Sequence, residues 1–235
     1  MVVIEGRRLV EDALEAGAAV VGLVAAADVA SAAEPVIARA LALGVPVETL
    51  TQQEFDALAD TETPSGLMAV VEWAPLALDR LGPPAGPGSL LLVLDAVQDP
   101  GNVGTMIRTA HALGAWATIA LDGTADVRGP KVLRASMGSA FRHPVAEASW
   151  SAFFDFAVRH GIAILLAAQD GEPADRRGRR PPHGALVVGS EGHGVRADWS
   201  LHPHRRVGVP MRPGAESLNA AMAAGILLYE LTRDR

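Results

Sequence analysis

The stretch Val207–Glu230, VGVPMRPGAESLNAAMAAGILLYE, joins a short β-branched strand to a helix through a polar loop. The strand breaks at Pro210, the loop contains Pro213 and Gly214, and the apolar segment opens at Ser217-Leu218-Asn219. Ser217 is the N-cap candidate, because its hydroxyl can accept from an otherwise unpaired backbone N–H of the first turn. Ala220, Ala221, Ala223, Ala224 and Gly225 follow. Residues this small let a helix lie close to another backbone or to a flat ligand. A strand, a loop with exposed amides and a tight helix start make a ligand cradle.

Two upstream stretches give the cradle its context. Asp95–Ala110, DAVQDPGNVGTMIRTA, reads as a strand end, a Pro-Gly turn, Asn102 at an N-cap and a helix carrying Arg108. Ligands of open α/β sheets bind at the carboxyl ends of strands, where this turn lies. No Gly-Lys-Ser/Thr follows, so a P-loop is excluded. Leu186–Val195, LVVGSEGHGV, offers two weak motif matches. A nucleophile elbow would need Gly where Val188 stands, and a dinucleotide turn from Gly192 lacks its long helix before Pro203. A tight glycine turn presenting Glu191 and free amides is the better reading.

Pro130–Pro144 gathers Lys131, Arg134 and Arg142, with Arg128 just before it, and these cations can meet phosphates. A solvated face explains the individual charges equally well. Arg176-Arg177-Gly178-Arg179-Arg180 reads as a solvated loop, and the histidines show no paired metal-ligand spacing.

Around these stretches the chain alternates strands and helices. Val20–Ala26, Val45–Leu50 and Gly66–Trp73 read as strands, Ala32–Leu43 as a helix, and Thr51 to Glu54 as a capping box. Residues 75–89 hold four Pro and three Gly and read as a linker. From Leu90 the strands are stronger: Leu90–Val97 is almost unbroken apolar, as in a strand buried on both faces of a parallel sheet. The fold class is α/β, in two parts, 1–74 and 90–235, the second with a mainly parallel sheet. The 235-residue chain has no cysteine, which removes disulfides and thiolate metal sites, and no run of eighteen apolar residues. The expectation is a cytoplasmic protein with no membrane and no metal. Net charge is −7, yet residues 1–89 carry 13 acidic and 4 basic side chains while 90–235 carry 14 and 16. A phosphate-binding surface therefore belongs to the second part.

Asn102-Val-Gly-x-x-x-Arg108-Thr-Ala, Gly189-Ser-Glu191-Gly-x-Gly194 and Val209-Pro-Met-x-x-x-x-Glu216-Ser217-Leu-Asn219 occur in that order. Together they resemble the three signature motifs of the SpoU (TrmH-type) RNA 2′-O-ribose methyltransferases, in the SPOUT class. Residues 1–74, with Glu5-Gly6-Arg7 near their start, look less specifically like the L30e-like substrate-binding domain found in front of them. The resemblance implies a C-terminal trefoil knot, which the rule that chains do not knot would argue against. It implies S-adenosylmethionine as cofactor, held by Gly189, Val209, Met211, Ser217, Leu218 and Asn219. It implies a catalytic group of Asn102, Arg108, Glu191, Ser217 and Asn219, and a homodimer packed through the knot helices. It implies as substrate a ribose 2′-hydroxyl of structured RNA, with the N-terminal part leaning towards ribosomal over transfer RNA, and Arg108, Arg128, Lys131, Arg134 and Arg142 are the residues expected to meet it. Two roles for Arg108 stay open, base or electrostatic clamp, since a guanidinium normally keeps its proton. The competing expectation is an inactive RNA-binding protein of the same fold.

Overall fold

A computed structural model describes the chain apart from residues 30–32, 60, 62, 85, 175–181, 191–193, 196–198, 200–201, 213, 215 and 234–235. Two sheets organise it. The smaller has the order β1-β4-β2-β3, from Val2–Glu5 (β1), Ala19–Ala26 (β2), Val47–Leu50 (β3) and Leu67–Glu72 (β4). Helices α1 (Arg7–Glu15), α2 (Glu34–Ala42) and α3 (Gln52–Leu58) connect these strands. The expected capping box is present: Thr51 N–H donates to Glu54 Oε2 at 2.9 Å, and Glu54 N–H donates to Thr51 Oγ1 at 3.3 Å.

The larger sheet has seven strands, all in parallel pairings, in the order β11-β9-β10-β6-β7-β8-β5. They are Leu76–Ala77 (β5), Ser89–Asp95 (β6), Ala117–Leu121 (β7), Val145–Ala148 (β8), Ala163–Pro173 (β9), His183–Gly189 (β10) and His204–Gly208 (β11). The helices are α4 (Pro100–Ala112), α5 (Pro130–Ser136), α6 (Trp150–Arg159) and α7 (Ala220–Thr232). Strand β6 shows why its sequence is unbroken apolar. Leu90, Leu92 and Leu94 enter the core shared with α4 and α7, whereas Leu91 and Val93 enter the opposite core with Phe153 and Phe156 of α6. Both faces of a parallel strand are covered, so alternation disappears.

The stretch 75–89 is corrected in part. Leu76–Ala77 pairs with Ala146–Glu147 of β8 as an edge strand, and the next turn buries Leu78. Ladder pairing of Leu76–Ala77 and burial of Leu78 outweigh the flexibility that Pro and Gly suggest. Both helix starts also move. Asp99, not Asn102, caps α4: its Oδ1 accepts from Asn102 N–H at 2.7 Å, and Pro100 takes the first helical position, which needs no N–H. Asn219, not Ser217, caps α7, its Oδ1 accepting from Ala221 N–H at 3.0 Å and Met222 N–H at 3.2 Å.

After Asp95, Ala96 holds φ +56° while buried. An L-residue there carries about 1–2 kcal/mol of strain, part of which glycine's looser unfolded chain would offset. Ala96→Gly should therefore stabilise the fold by about 0.5–1 kcal/mol in denaturant titration, a rare gain from adding glycine.

Behind α4, His143 is buried and its Nε2 lies 3.0 Å from Thr118 Oγ1, with the His111 ring 5.9 Å away. Burial, and secondarily the charge of His111, pushes its pKa down to about 4. The unfolded chain then binds a proton that the folded one refuses between pH 6.5 and 4. Stability is full above the unfolded value and falls on acidification through that window, by about 3 kcal/mol at its end. Unfolding free energies measured across the window should lose this component in His143→Gln.

Candidate active site at the switch point of the larger sheet

From β6 the chain moves outward through β7 and β8, then returns to place β10 on the other side of β6. The direction of winding changes between β6 and β10, and a crevice opens at the carboxyl ends of such a pair. Asp95 and Gly189 are register partners at those ends. A cavity of about 960 Å³ lies here, and Gly189, Val209, Met211, Ser217 and Leu218 all line it. Its floor is the carboxyl end of β9, and its wall is the small-residue side of α7, through Ala220 and Ala223.

Glycine makes the close approaches possible. A Cβ on Gly189 would run into the backbone of Gly194 and Val195, where Ser190 and Gly194 form a β-bridge. A Cβ on Gly208 would stand 2.6 Å from Ala168 O, so the end of β11 lies directly on β9. Gln169 of β9 donates through Nε2 to Glu216 O at 2.5 Å, tying the polar loop to the cavity floor.

Asn102 and Asn219 meet beside this cavity. Asn219 Nδ2 donates to Asn102 Oδ1 at 3.1 Å while its own oxygen caps α7. The corrected caps explain how: with Asp99 capping α4, the Asn102 side chain crosses to α7. Arg108 projects from α4 into solvent and forms no ion pair among the described residues. Glu191 lies outside the described residues, as does the Arg176–Arg180 stretch.

The other candidate phosphate contacts separate. Lys131 stays near the start of α4, its Nζ 3.9 Å from Asp99 Oδ2, and Arg134 is half-buried beneath it on α5. Arg128 is exposed but engaged: Nε donates to Asp126 Oδ1 at 2.8 Å, and Nη2 lies 3.5 Å from Glu147 Oε1. Those two carboxylates hold its pKa above the ordinary guanidinium value, the Asp126 hydrogen bond contributing most. Arg142 is the correction: it faces Asp12 and Glu15 of α1 rather than open solvent. Two residues that motif reading passed over join the site. Trp199 lines the cavity, and its indole N–H donates to the buried Asp95 Oδ2 at 3.0 Å. A tryptophan inside a polar stretch was the available signal. Among the described residues no His, Asp and Glu cluster suits a metal ion, and no helix is long and apolar enough to cross a membrane.

Comparison with known proteins meets this geometry from outside. The SpoU rRNA methylase family model matches residues 89–229, which span the cavity, Asn102, Arg108 and Asn219. The chain belongs to the SpoU rRNA methylase family. A second family model, RNA 2′-O ribose methyltransferase substrate binding, matches residues 3–76. Among SpoU relatives, the 23S rRNA (guanosine(2553)-2′-O)-methyltransferase of Bacillus subtilis is 37% identical over 97% of this chain and 87% of its own length. A 23S rRNA (guanosine-2′-O-)-methyltransferase of Coxiella burnetii is 32% identical over 86% of this chain and 82% of its own. The structure of an AdoMet-bound rRNA methyltransferase from Sinorhizobium meliloti superposes with a TM-score of 0.84 at 29% identity, covering 99% of this chain and 87% of that one.

Proposed function

We propose that this protein transfers a methyl group from S-adenosylmethionine to a ribose 2′-hydroxyl of large-subunit ribosomal RNA. The observation that carries the reading is the Asn102–Asn219 hydrogen bond, which joins two distant motifs at the rim of a cavity at the sheet's switch point. The cavity suits the cofactor: glycine backbones crowd its floor, and apolar side chains such as Leu218 and Leu227 face a space large enough for a nucleoside with an amino-acid arm. When bound, S-adenosylmethionine supplies an electrophilic methyl group on a sulfonium.

The chain's own residues do the rest. Gly189, Val209, Met211, Ser217 and Leu218 hold the cofactor, Leu218 packing and the glycine turn contributing backbone. Asn219, locked by two amides and by Asn102, and the neighbouring Ser217 orient the ribose. Arg108 acts on the hydroxyl that loses its proton or on the adjacent phosphate, and Glu191 orients Arg108 or the ribose. Lys131 and Arg134 on α5, with Arg128 just before it, extend the phosphate-facing surface. Residues 1–74 present the RNA, and 90–235 carry the chemistry.

The C-terminal segment forms the knot, a reading supported by the contact of Gly208 with β9. The protein works as a cytoplasmic homodimer. Met222, Ile226 and Tyr229 are 59%, 37% and 50% exposed and make an apolar stripe along α7, a helix whose other residues are buried or half-buried. Apolar surface repeating at helical spacing favours a second copy as cover.

Calorimetric titration with S-adenosylmethionine comes first, followed by incubation with ribosomal and transfer RNA and alkaline hydrolysis. A methylated 2′-oxygen cannot attack its neighbouring phosphate, so one band drops out of the ladder. A gap in 23S rRNA supports the reading. Saturable cofactor binding with gaps only in transfer RNA, or with none, overturns it.

A further inference from the structure

The smaller sheet and the larger one are bolted together by charges that no motif contains. Helix α1 presents Asp12, only 4% exposed, to Arg142, whose Nη1 lies 3.4 Å from Asp12 Oδ1 and whose Nη2 lies 3.4 Å from Glu15 Oε2. Arg8 Nε sits 3.5 Å from the other Asp12 oxygen, and Arg39 Nη1 is 3.7 Å from Glu15. Backbone meets side chain at the same place: a Cβ on Gly138 would lie 2.5 Å from Asp12 Cβ and 2.8 Å from Arg142 Nη1, and Gly138 also holds φ +75°. Nearby, Trp73 meets Phe141 edge to face at 6.0 Å. The buried cores run together, Ile4 and Leu14 belonging to one cluster with Val132, Leu133 and Leu92.

A flexible tether would have produced none of this. The element that receives α1, from α5 to Arg142, also packs on the catalytic helix so closely that a Cβ on Gly104 would stand 3.0 Å from Ser136 N. A continuous packed path thus runs from α1 through α5 to the helix bearing Asn102 and Arg108.

We propose that Arg142, with Asp12 and Glu15, is a positioning latch that fixes the substrate-binding part at one orientation, so that structured RNA held there arrives with its ribose at Arg108. This rests on the methyltransferase reading above. A fixed module raises the effective concentration of the target ribose, and a loosened one dilutes it. The latch therefore acts on RNA KM and leaves the cofactor cavity alone.

The test compares the full-length wild type with Arg142→Glu, which sets like charges against Asp12 and Glu15, and with the exchange pair Arg142→Asp, Asp12→Arg. Small-angle scattering should show a larger radius of gyration for Arg142→Glu. KM for 23S rRNA should rise about tenfold or more, with kcat and the calorimetric S-adenosylmethionine affinity nearly unchanged. The exchange pair should recover most of both effects. Unchanged scattering overturns the latch, and altered scattering with unchanged KM overturns its role in substrate positioning. Cofactor affinity falling in step with KM shows general damage and overturns it too, as does failure of the exchange pair to recover either effect. A wild type that methylates no RNA would count against the proposed function, and scattering alone would then decide the latch.

Discussion

Replacing Arg108 by alanine is expected to lower kcat for RNA methylation by about 100- to 1,000-fold, the usual cost of removing a preorganised group aimed at developing charge. S-adenosylmethionine affinity should not change, because Arg108 is absent from the cavity lining. The residue stands exposed on α4 next to Thr109, and a Cβ on Gly225 of α7 would sit 3.5 Å from Thr109 Cγ2. It is thus held at the junction of the two helices whose starts are joined by Asn102 and Asn219. No carboxylate among the described residues neutralises it, so its charge is available to an incoming phosphate and to the oxygen losing its proton. Arg108→Lys separates the two roles. Lysine keeps a point charge but loses the planar fork, so a clamp should retain partial activity with an unaltered pH profile. A base would impose a new pH dependence on kcat. Single-turnover rates across pH, with calorimetry for the cofactor, make the comparison; an alanine variant with wild-type kcat removes Arg108 from the mechanism.

Much of the architecture was legible because burial leaves a mark on sequence. Leu90–Val97 announced a central parallel strand, since only a strand covered on both faces needs every side chain apolar. What escaped reading was short or half polar. Helix α1 is rich in charge, and its buried Leu9, Val10, Ala13 and Leu14 lie at helical spacing that is visible once looked for. Strand β8 has four residues and α5 seven, too few for a period to emerge. The misplaced caps have a sharper cause. Asp99 and Asn102 compete for one helix start, and Pro100, which prefers the first helical position, was the evidence for Asp99. Ser217 and Asn219 compete likewise without a proline to arbitrate.

The candidate site was legible as three motifs but not as a place. Asn102 and Asn219 are 117 positions apart, Asp95 and Trp199 104, and Asp12 and Arg142 130. Such pairings are fixed by the winding of the sheet, which brings strand ends together irrespective of their separation in the chain. Local pattern nominated candidate residues; it held no information on which of them touch. Arg142 illustrates the cost: as one of several cations in a short stretch it read as a phosphate contact, and only the position of α1 shows it to be engaged by carboxylates.

The cavity proposed for the cofactor is expected to be most sensitive at Gly189, where one added carbon should weaken S-adenosylmethionine binding by about tenfold to a hundredfold, and Gly189→Val should remove it. The reason is space rather than backbone freedom. The missing Cβ of Gly189 points into the backbone of Gly194 and Val195, so any side chain must push the Ser190–Gly194 bridge out of place, and Gly189, Ser190, Gly194 and Val195 all line the cavity. Gly194 offers the matched control. It has open space around its own Cβ position but φ +66°, so Gly194→Ala costs about 1 kcal/mol of strain and displaces nothing. Calorimetry on both variants, with thermal unfolding to confirm that each is folded, distinguishes the cases. A much weaker Gly189→Ala beside a nearly normal Gly194→Ala places the bridge in the cofactor wall. Equal affinities would mean that the turn yields to the extra carbon without cost, and the wall would have to be sought among the α7 residues instead.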